Sequence, residues 1–540
     1  MALKSPRPIP RRNPVKVGVV PAPLGGVDGR ISLAANDLSK CPYAYNMVPD
    51  EYGMRLRKGY REHVIEVEDT ASTGVGSIIP FEGIDSGDDM LFCANNEGIW
   101  DITAYDTAPT KKVAFTVNNT ASAGFGQYIN YVNTSGAQFL LYADTLNGLF
   151  TYTQSTDTWA QTTGVTGVAE EDICGIVVHK LRVWLIERDS TSAWYMPVDA
   201  IAGTATEFTF GGKFKHGGKL VGLYNWTLDG GAGVDDYLVA VSSSGDVLVY
   251  QGEDPSSAST WSLRGSYYIG EIPKGYRAGL EFSADLYLLS AYGLVSMTDT
   301  LNGVRPSDPR KDSLPFKISQ ALQTSMKTLR DENGWDIKFL ASEGAVIIVS
   351  PVQADGTYLN YVVNMVNDGW GFWRGPPILS IDVWNNNVYF GTADNRIFVM
   401  DIYRDEQLIT PAGAVNGDPI EYSILHSFSD MGSPGQNKRA VFVRPNFRAI
   451  YEPVFDTKIL YDYNIDEFSP NYTIIPSTAS LWDTAVWDAA VWSATEKSSY
   501  NRVSGSAGFG RAMAVAIRGK AEEDTLLVST DIGWNEGGMM

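Results

Sequence analysis

YLVAVSSSGDVLVYQG, residues 237–252, sets an apolar strand, a polar Ser/Gly/Asp turn and a second apolar strand side by side. Six other stretches repeat the pattern. They are MLFCANNEGIWDI (90–102), FLLYADTLNGLFTYT (139–153), VWLIERDSTSAWYM (183–196), LYLLSAYGLVSMTD (286–299), VIIVSPVQADGTYLNYVV (346–363) and VYFGTADNRIFVMDI (388–402). Strand runs bounded by Gly, Asn and Asp read as hairpins. Taking Gly98, Gly148, Ala193, Gly245, Gly293, Gly356 and Asn395 as turn markers, the spacings are 50, 45, 52, 48, 63 and 39 residues. One four-stranded propeller blade occupies about 40–50 residues.

The fold expected is all-β: a β-propeller of about seven hairpin units, hence six or seven blades. Closure of a radial array protects strand edges, which favours it over a row of separate sandwiches with unequal hairpins. Residues 55–80 could supply the strand that closes the ring. The long gap has its own explanation in SLPFKISQALQTSMKTLRDENG (313–334), where Ile318, Leu322, Met326 and Leu329 recur at helical spacing. A helical insertion is therefore expected near 313–333, with Ser313 as its cap and its apolar stripe as a packing face.

The domain reading is three-part. Residues 1–54 form an extended N-terminal arm and signature segment, 55–405 the propeller, and 406–540 a β-sandwich-like domain with a Trp-rich loop. At 540 residues the chain exceeds one ordinary core. Hydrophobic residues at 44% against 19% charged mark it as well packed rather than disordered.

Acidic residues outnumber basic ones 63 to 42, leaving a net charge of −21. This argues against a protein that grips nucleic acid, because such affinity comes largely from Lys and Arg on phosphates. It suits one that DNA slides past, since like charges repel over about 8 Å at physiological salt. Cys41, Cys93 and Cys174 are too few and too scattered for a disulfide framework or zinc site, and read as small buried hydrophobes. No stretch approaches the ~20 apolar residues of a membrane span. The N-terminus lacks the apolar core of a secretory signal, so synthesis in the cytoplasm is expected.

Catalytic signals are weak throughout. His63, His179, His216 and His426 stand apart from one another, and His179 reads as a core or rim residue. GxSxG and P-loop motifs are lacking, and GGKFKHGGKLVG and DGGAGVDD read as loops. The acidic clusters Asp85, Asp88, Asp89 and Glu170, Glu171, Asp172 could in principle serve glycoside hydrolysis or hold calcium loosely. Acidic blade-edge loops are the simpler reading in so acidic a chain. No catalytic residue, cofactor or metal is assigned.

Two features point to partners. The first twenty residues carry four prolines with Lys4, Arg7, Arg11, Arg12 and Lys16, which forbids a helix. They read either as a disordered tail or as a basic arm that orders against an acidic neighbour. Near the other end, LWDTAVWDAAVWSAT (481–495) repeats Trp482, Trp487 and Trp492 every five residues, a period of neither strand nor helix. Such a ladder suits burial against a partner, anchoring of its own loop, or an aromatic platform for sugar.

Residues 20–63, VPAPLGGVDGRISLAANDLSKCPYAYNMVPDEYGMRLRKGYREH, resemble the N-terminal signature of tail proteins from short-tailed bacteriophages. The matching residues are Pro23, Gly25, Gly26, Ser32, Leu33, Ala34, Asn46, Tyr52, Gly53, Arg55, Arg57, Lys58, Gly59 and Tyr60; Val27 and Asp28 depart from it. The WD-x-A-x-W block and the closing GFGRAMAVAIRGKAEEDTLLVSTDIGW (508–534) are similar to the same group. The resemblance implies a tail nozzle or tail-hub structural protein, made late and located in the virion tail. It further implies a homo-oligomeric ring of six below the portal and adaptor. That ring would continue the DNA channel, retain the genome, dock fibres or spikes, and pass double-stranded DNA at ejection. On that view Arg55, Arg57 and Lys58 meet a protein partner rather than DNA, and the Gly- and acid-bearing loops 83–90 and 229–236 are gate candidates. The alternatives are a carbohydrate-binding or glycan-cleaving receptor protein of the same particle, and a free-standing bacterial propeller lectin or enzyme.

Overall fold

The computed structural model describes residues 14–539 apart from 30–31, 35–36, 65, 68–72, 119, 121, 230–233, 305–313, 410–415, 471–497, 502–503 and 506–507. The chain divides into two compact units, one of residues 58–418 and one joining 1–57 to 419–540.

Within 58–418 the described residues form seven antiparallel sheets of blade type. The first four are 77–114, 126–161, 173–209 and 220–268, each with four strands in sequence order. The fifth has three strands, Gly279–Phe282, Asp285–Ser290 and Gly293–Ser296. The helix Leu314–Leu329 packs on its last strand, where a fourth would lie. Ile318, Leu322, Met326 and Leu329 are all buried, so the predicted stripe is the packing face. The proposed cap Ser313 lies outside the described residues. The sixth sheet runs 336–374.

The seventh sheet closes the ring. Its strands Ser380–Trp384, Asn387–Gly391 and Ile397–Ile402 are completed by Gly59–Val64 from the start of the unit. The innermost strands touch in cyclic order, and Ser380–Trp384 meets Ser77–Phe81 to complete the circle. The expected β-propeller is present, and of the six or seven blades expected the structure has seven.

The cores lie between blades. Ile79, Phe81 and Phe92 of the first blade pack on Leu140, Tyr142 and Phe150 of the second. Val64, Ile397 and Val399 of the seventh pack on Ile78, Leu91 and Trp100 of the first. Strands with both faces covered in this way read as near-continuous apolar runs, the signal that marks the hairpin units in the sequence. One turn marker is misplaced. Ala193 lies inside the strand Ser192–Tyr195, opposite Ile186, and the preceding turn carries its positive φ at Asp189 instead.

The other unit corrects the three-part division. Residues 1–54 are not a domain of their own, because their short strands complete sheets built by the C-terminal segment. Lys16–Pro21 pairs along Ser529–Trp534, and Gly53–Leu56 joins the same long strand at Leu526 and Leu527. Tyr43–Tyr45 pairs with Asp418–Leu425, which continues into Met513–Ala521 and Val454–Tyr461. Strands of two to six residues cannot bury a face alone, so they borrow one. Tyr422 of this second sheet packs on Phe447 of the first, and Phe447 on Phe455, giving face-to-face sheets. The boundary lies at residue 419 rather than 406. Cys41, Cys93 and Cys174 are buried free thiols, whose burial pushes their pKa values up.

Candidate functional site: the charged axis of the propeller

Each of the seven innermost strands sends residues toward the propeller axis, where they enclose a cavity of about 540 Å³. That volume is typical of small-molecule pockets. Its wall is charged. Arg277 lies just ahead of the fifth blade, Asp336 and Lys338 on the first strand of the sixth, and Asp382 on the first strand of the seventh.

The charges interleave. Arg277 Nη1 stands 3.4 Å from Asp336 Oδ2, and Lys338 Nζ donates to Asp382 Oδ2 at 2.8 Å. The Tyr128 hydroxyl also donates to Asp382 Oδ2 at 2.8 Å, while Lys338 Nζ sits 5.1 Å from the centre of the Tyr128 ring. Arg277 additionally donates to the carbonyl of Gly76 at 3.0 Å. Asp336 differs from the rest: its side chain is 1% exposed, and the backbone N–H of Ile337 and the Arg277 guanidinium favour its charged form.

Burial raises the pKa of Asp336, opposed by Arg277 and Lys338. Burial raises that of Glu281 as well, opposed by the Asn225 backbone N–H that its carboxylate accepts. Burial works against the Lys338 charge, but Asp382 and Asp336 outweigh it and its pKa rises. The Tyr128 hydroxyl is held neutral by burial and by Asp382. Salt-bridged charges from three consecutive blades thus fill the axis with paired donors and acceptors, an arrangement able to bind a polar molecule.

Sequence reasoning missed this cavity because its units were built on the second and third strands of each blade. The first strands carry the signal as single polar residues among apolar ones: Asp336 and Lys338 in WDIKFL, Asp382 in SIDVW. Two residues apart on a strand, Asp336 and Lys338 share a face.

The residues selected from sequence lie elsewhere. Arg55 pairs with Asp50 at 2.6 Å and Asp524 at 3.5 Å, and Lys58 with Glu343 at 2.8 Å. Arg57 is buried and donates through Nε to Asn46 Oδ1 at 2.9 Å, so it is part of the framework and not available to a partner. Lys4, Arg7, Arg11, Arg12, Trp482, Trp487 and Trp492 lie outside the described residues, as do 230–233 of the second gate candidate. Lys16, the last cation of the basic stretch, pairs with Glu536 at 2.6 Å within its own chain. His179 is buried on the strand Ile173–His179, with Nδ1 2.8 Å from Asn225 Oδ1.

No family model matches the chain, and no curated protein does. Among solved structures, the WD40 β-propeller domain of Doa1 is 11% identical, covering 64% of this chain and 98% of its own, with a TM-score of 0.38. YCF48 bound to D1 peptide is 10% identical over 62% of this chain and 93% of that one, at a TM-score of 0.35. The computationally designed Ika8 protein is 11% identical over 63% and 99%, at 0.33.

Proposed function

We propose that the chain is a structural subunit of a short-tailed bacteriophage tail. Six copies form a nozzle ring that continues the DNA channel below portal and adaptor, holds the packaged genome, docks fibres or spikes, and lets DNA through. The observation that carries this reading is where the two resembling stretches meet. Residues 20–57 of the first stretch and 508–534 stand far apart in the sequence, yet they contribute neighbouring strands to one unit, while 58–63 close the propeller. A Cβ on Gly53 would lie 2.4 Å from the Leu527 carbonyl oxygen, so the first stretch needs its glycine because of the second. Strand pairing between the two stretches supports reading these motifs as structural.

A charge of −21 per chain suits a surface that passes DNA without retaining it. The test is the mass of the recombinant 59.0-kDa chain by analytical ultracentrifugation, alone and mixed with portal and adaptor proteins. A closed ring of six supports the reading. A stable monomer or trimer that depolymerises host polysaccharide overturns it.

A further inference from the structure

We propose that copies of this chain meet head to tail. An apolar patch on the turns of the first three blades of one copy takes the exposed valines of the strand Lys16–Pro21 of the next. The proposal rests on the ring reading, for which it supplies the contact between neighbours.

The patch is tied together from blade to blade. Ile84 follows the first strand of the first blade and donates its N–H to Gln138 Oε1 at 3.0 Å. Gln138 stands opposite Val132 in the second blade. Two residues on, the Thr134 N–H donates to Asp199 Oδ1 at 3.0 Å, and the Asp199 N–H donates to the carbonyl of Leu181 in the third blade at 2.9 Å. Ile84, Val132, Leu181 and Val198, the neighbour of Asp199, are each more than half exposed. Single exposed hydrophobes are ordinary, whereas a group of four linked across three blades marks an interaction surface.

Leu181 is the most telling of them. His179 and Arg182 pair across a two-residue turn in which Lys180 and Leu181 both carry positive φ, 49° and 59°. Such a turn favours Asn and Gly, and a leucine in left-handed backbone is strained. The seventh blade makes the same kind of turn with Asn385 and Asn386. A strained apolar side chain held out into solvent gains little from its own chain, which points to a contact beyond it.

Exposure and charge identify the occupant as a second copy. Lys16–Pro21 is an edge strand, paired along Ser529–Trp534, and it leaves Val17 and Val19 exposed, with Val15 just ahead of it. Apolar edges of this kind invite pairing with another chain. Beside Ile84 stand the acids Glu82, Asp85 and Asp88, without an ion pair among the described residues. The sequence leading into Val15 carries Arg7, Arg11 and Arg12 and no acid. Bringing the two patches together sets apolar surface on apolar surface and acid against base, while like patches would set acid against acid. Two different patches in contact make a head-to-tail interface, which closes into a ring when the rotation allows.

The experiment co-expresses two full-length variants under different tags, Val17→Cys and Leu181→Cys, and treats the purified protein with a short bismaleimide. Cys41, Cys93 and Cys174 are fully buried and stay silent. The expected result is a cross-link between the two tagged chains that is absent when either variant is expressed alone. No cross-link in the co-expressed sample, or a cross-link within one variant alone, overturns the proposal. Leu181→Asn adds a second readout, because asparagine tolerates left-handed backbone. It should melt no lower than the wild type and associate about tenfold more weakly, and association at wild-type strength overturns the proposal. Sedimentation of the co-expressed sample keeps the two readings apart. Six-copy particles without the cross-link overturn the contact alone, and cross-linked particles of another copy number overturn the ring of six alone.

Discussion

His426 is fully buried, and its Nδ1 has no hydrogen-bond partner while Nε2 lies 3.3 Å from Thr530 Oγ1. Burial pushes its pKa down from 6.5 to about 4, so the imidazole is neutral in the fold. Between those two values the unfolded chain binds the extra proton. The contribution is fully present above pH 6.5 and is lost as the pH falls toward 4, an effect of about 3 kcal/mol. The buried carboxylates of the propeller, Asp336, Glu281 and Asp144, have the opposite sign. Their raised values stabilise below the ordinary Asp and Glu range, and that contribution disappears as pH rises. A wild-type minus His426→Gln comparison of urea unfolding isolates the histidine. Its stability difference should shrink by about 3 kcal/mol from pH 7 to pH 4, and a difference that is flat with pH would refute the assignment. None of this was legible in the sequence, where the four histidines stand alone and only tertiary burial decides their chemistry.

At the level of elements the reading went further, because hydrophobic runs and turn residues are local signals. Gly98, Gly148, Gly245, Gly293 and Asn395 carry positive φ at or beside the hairpin turns. At Gly148 and Gly245 an added Cβ would fall 2.2 Å and 2.1 Å from the carbonyls of Glu170 and Gly270, so the turns are also pressed against the chain entering the next blade. A second repeat went unseen three or four residues earlier. Asn95, Asp144, Ser242 and Ser290 end the second strand of their blades and Thr392 directly follows its own, each fully buried. Their side chains accept backbone N–H groups from the turn, those of Glu97, Asn147, Asp246, Tyr292 and Arg396. Four residue types do one job at these five positions, so no single letter marks the repeat and composition hides the pattern. The closing strand was anticipated within 55–80, but the intimacy of its fit was not. A Cβ on Gly59 would lie 2.1 Å from the Arg404 carbonyl oxygen. Gly59→Ala should destabilise the propeller by about 1–3 kcal/mol in chemical denaturation, as overpacking does. An unchanged midpoint would mean that Gly59–Val64 does not seal the ring.

The whole molecule adds a constraint that no element shows. The seven innermost strands close on one another around a charged axis, and that closure belongs to no single blade. Seven hairpin units, hence six or seven blades, were readable from one period. The joining of the chain ends into a second unit was not, because pairing between Lys16–Pro21 and Leu526–Met539 leaves no local mark. The measurement that tests the tail reading most directly is the copy number and position of this chain in purified phage particles, by quantitative mass spectrometry with immunogold labelling. The account predicts six copies per particle at the distal end of the tail; absence from the particle, or copies distributed over the capsid, would contradict it.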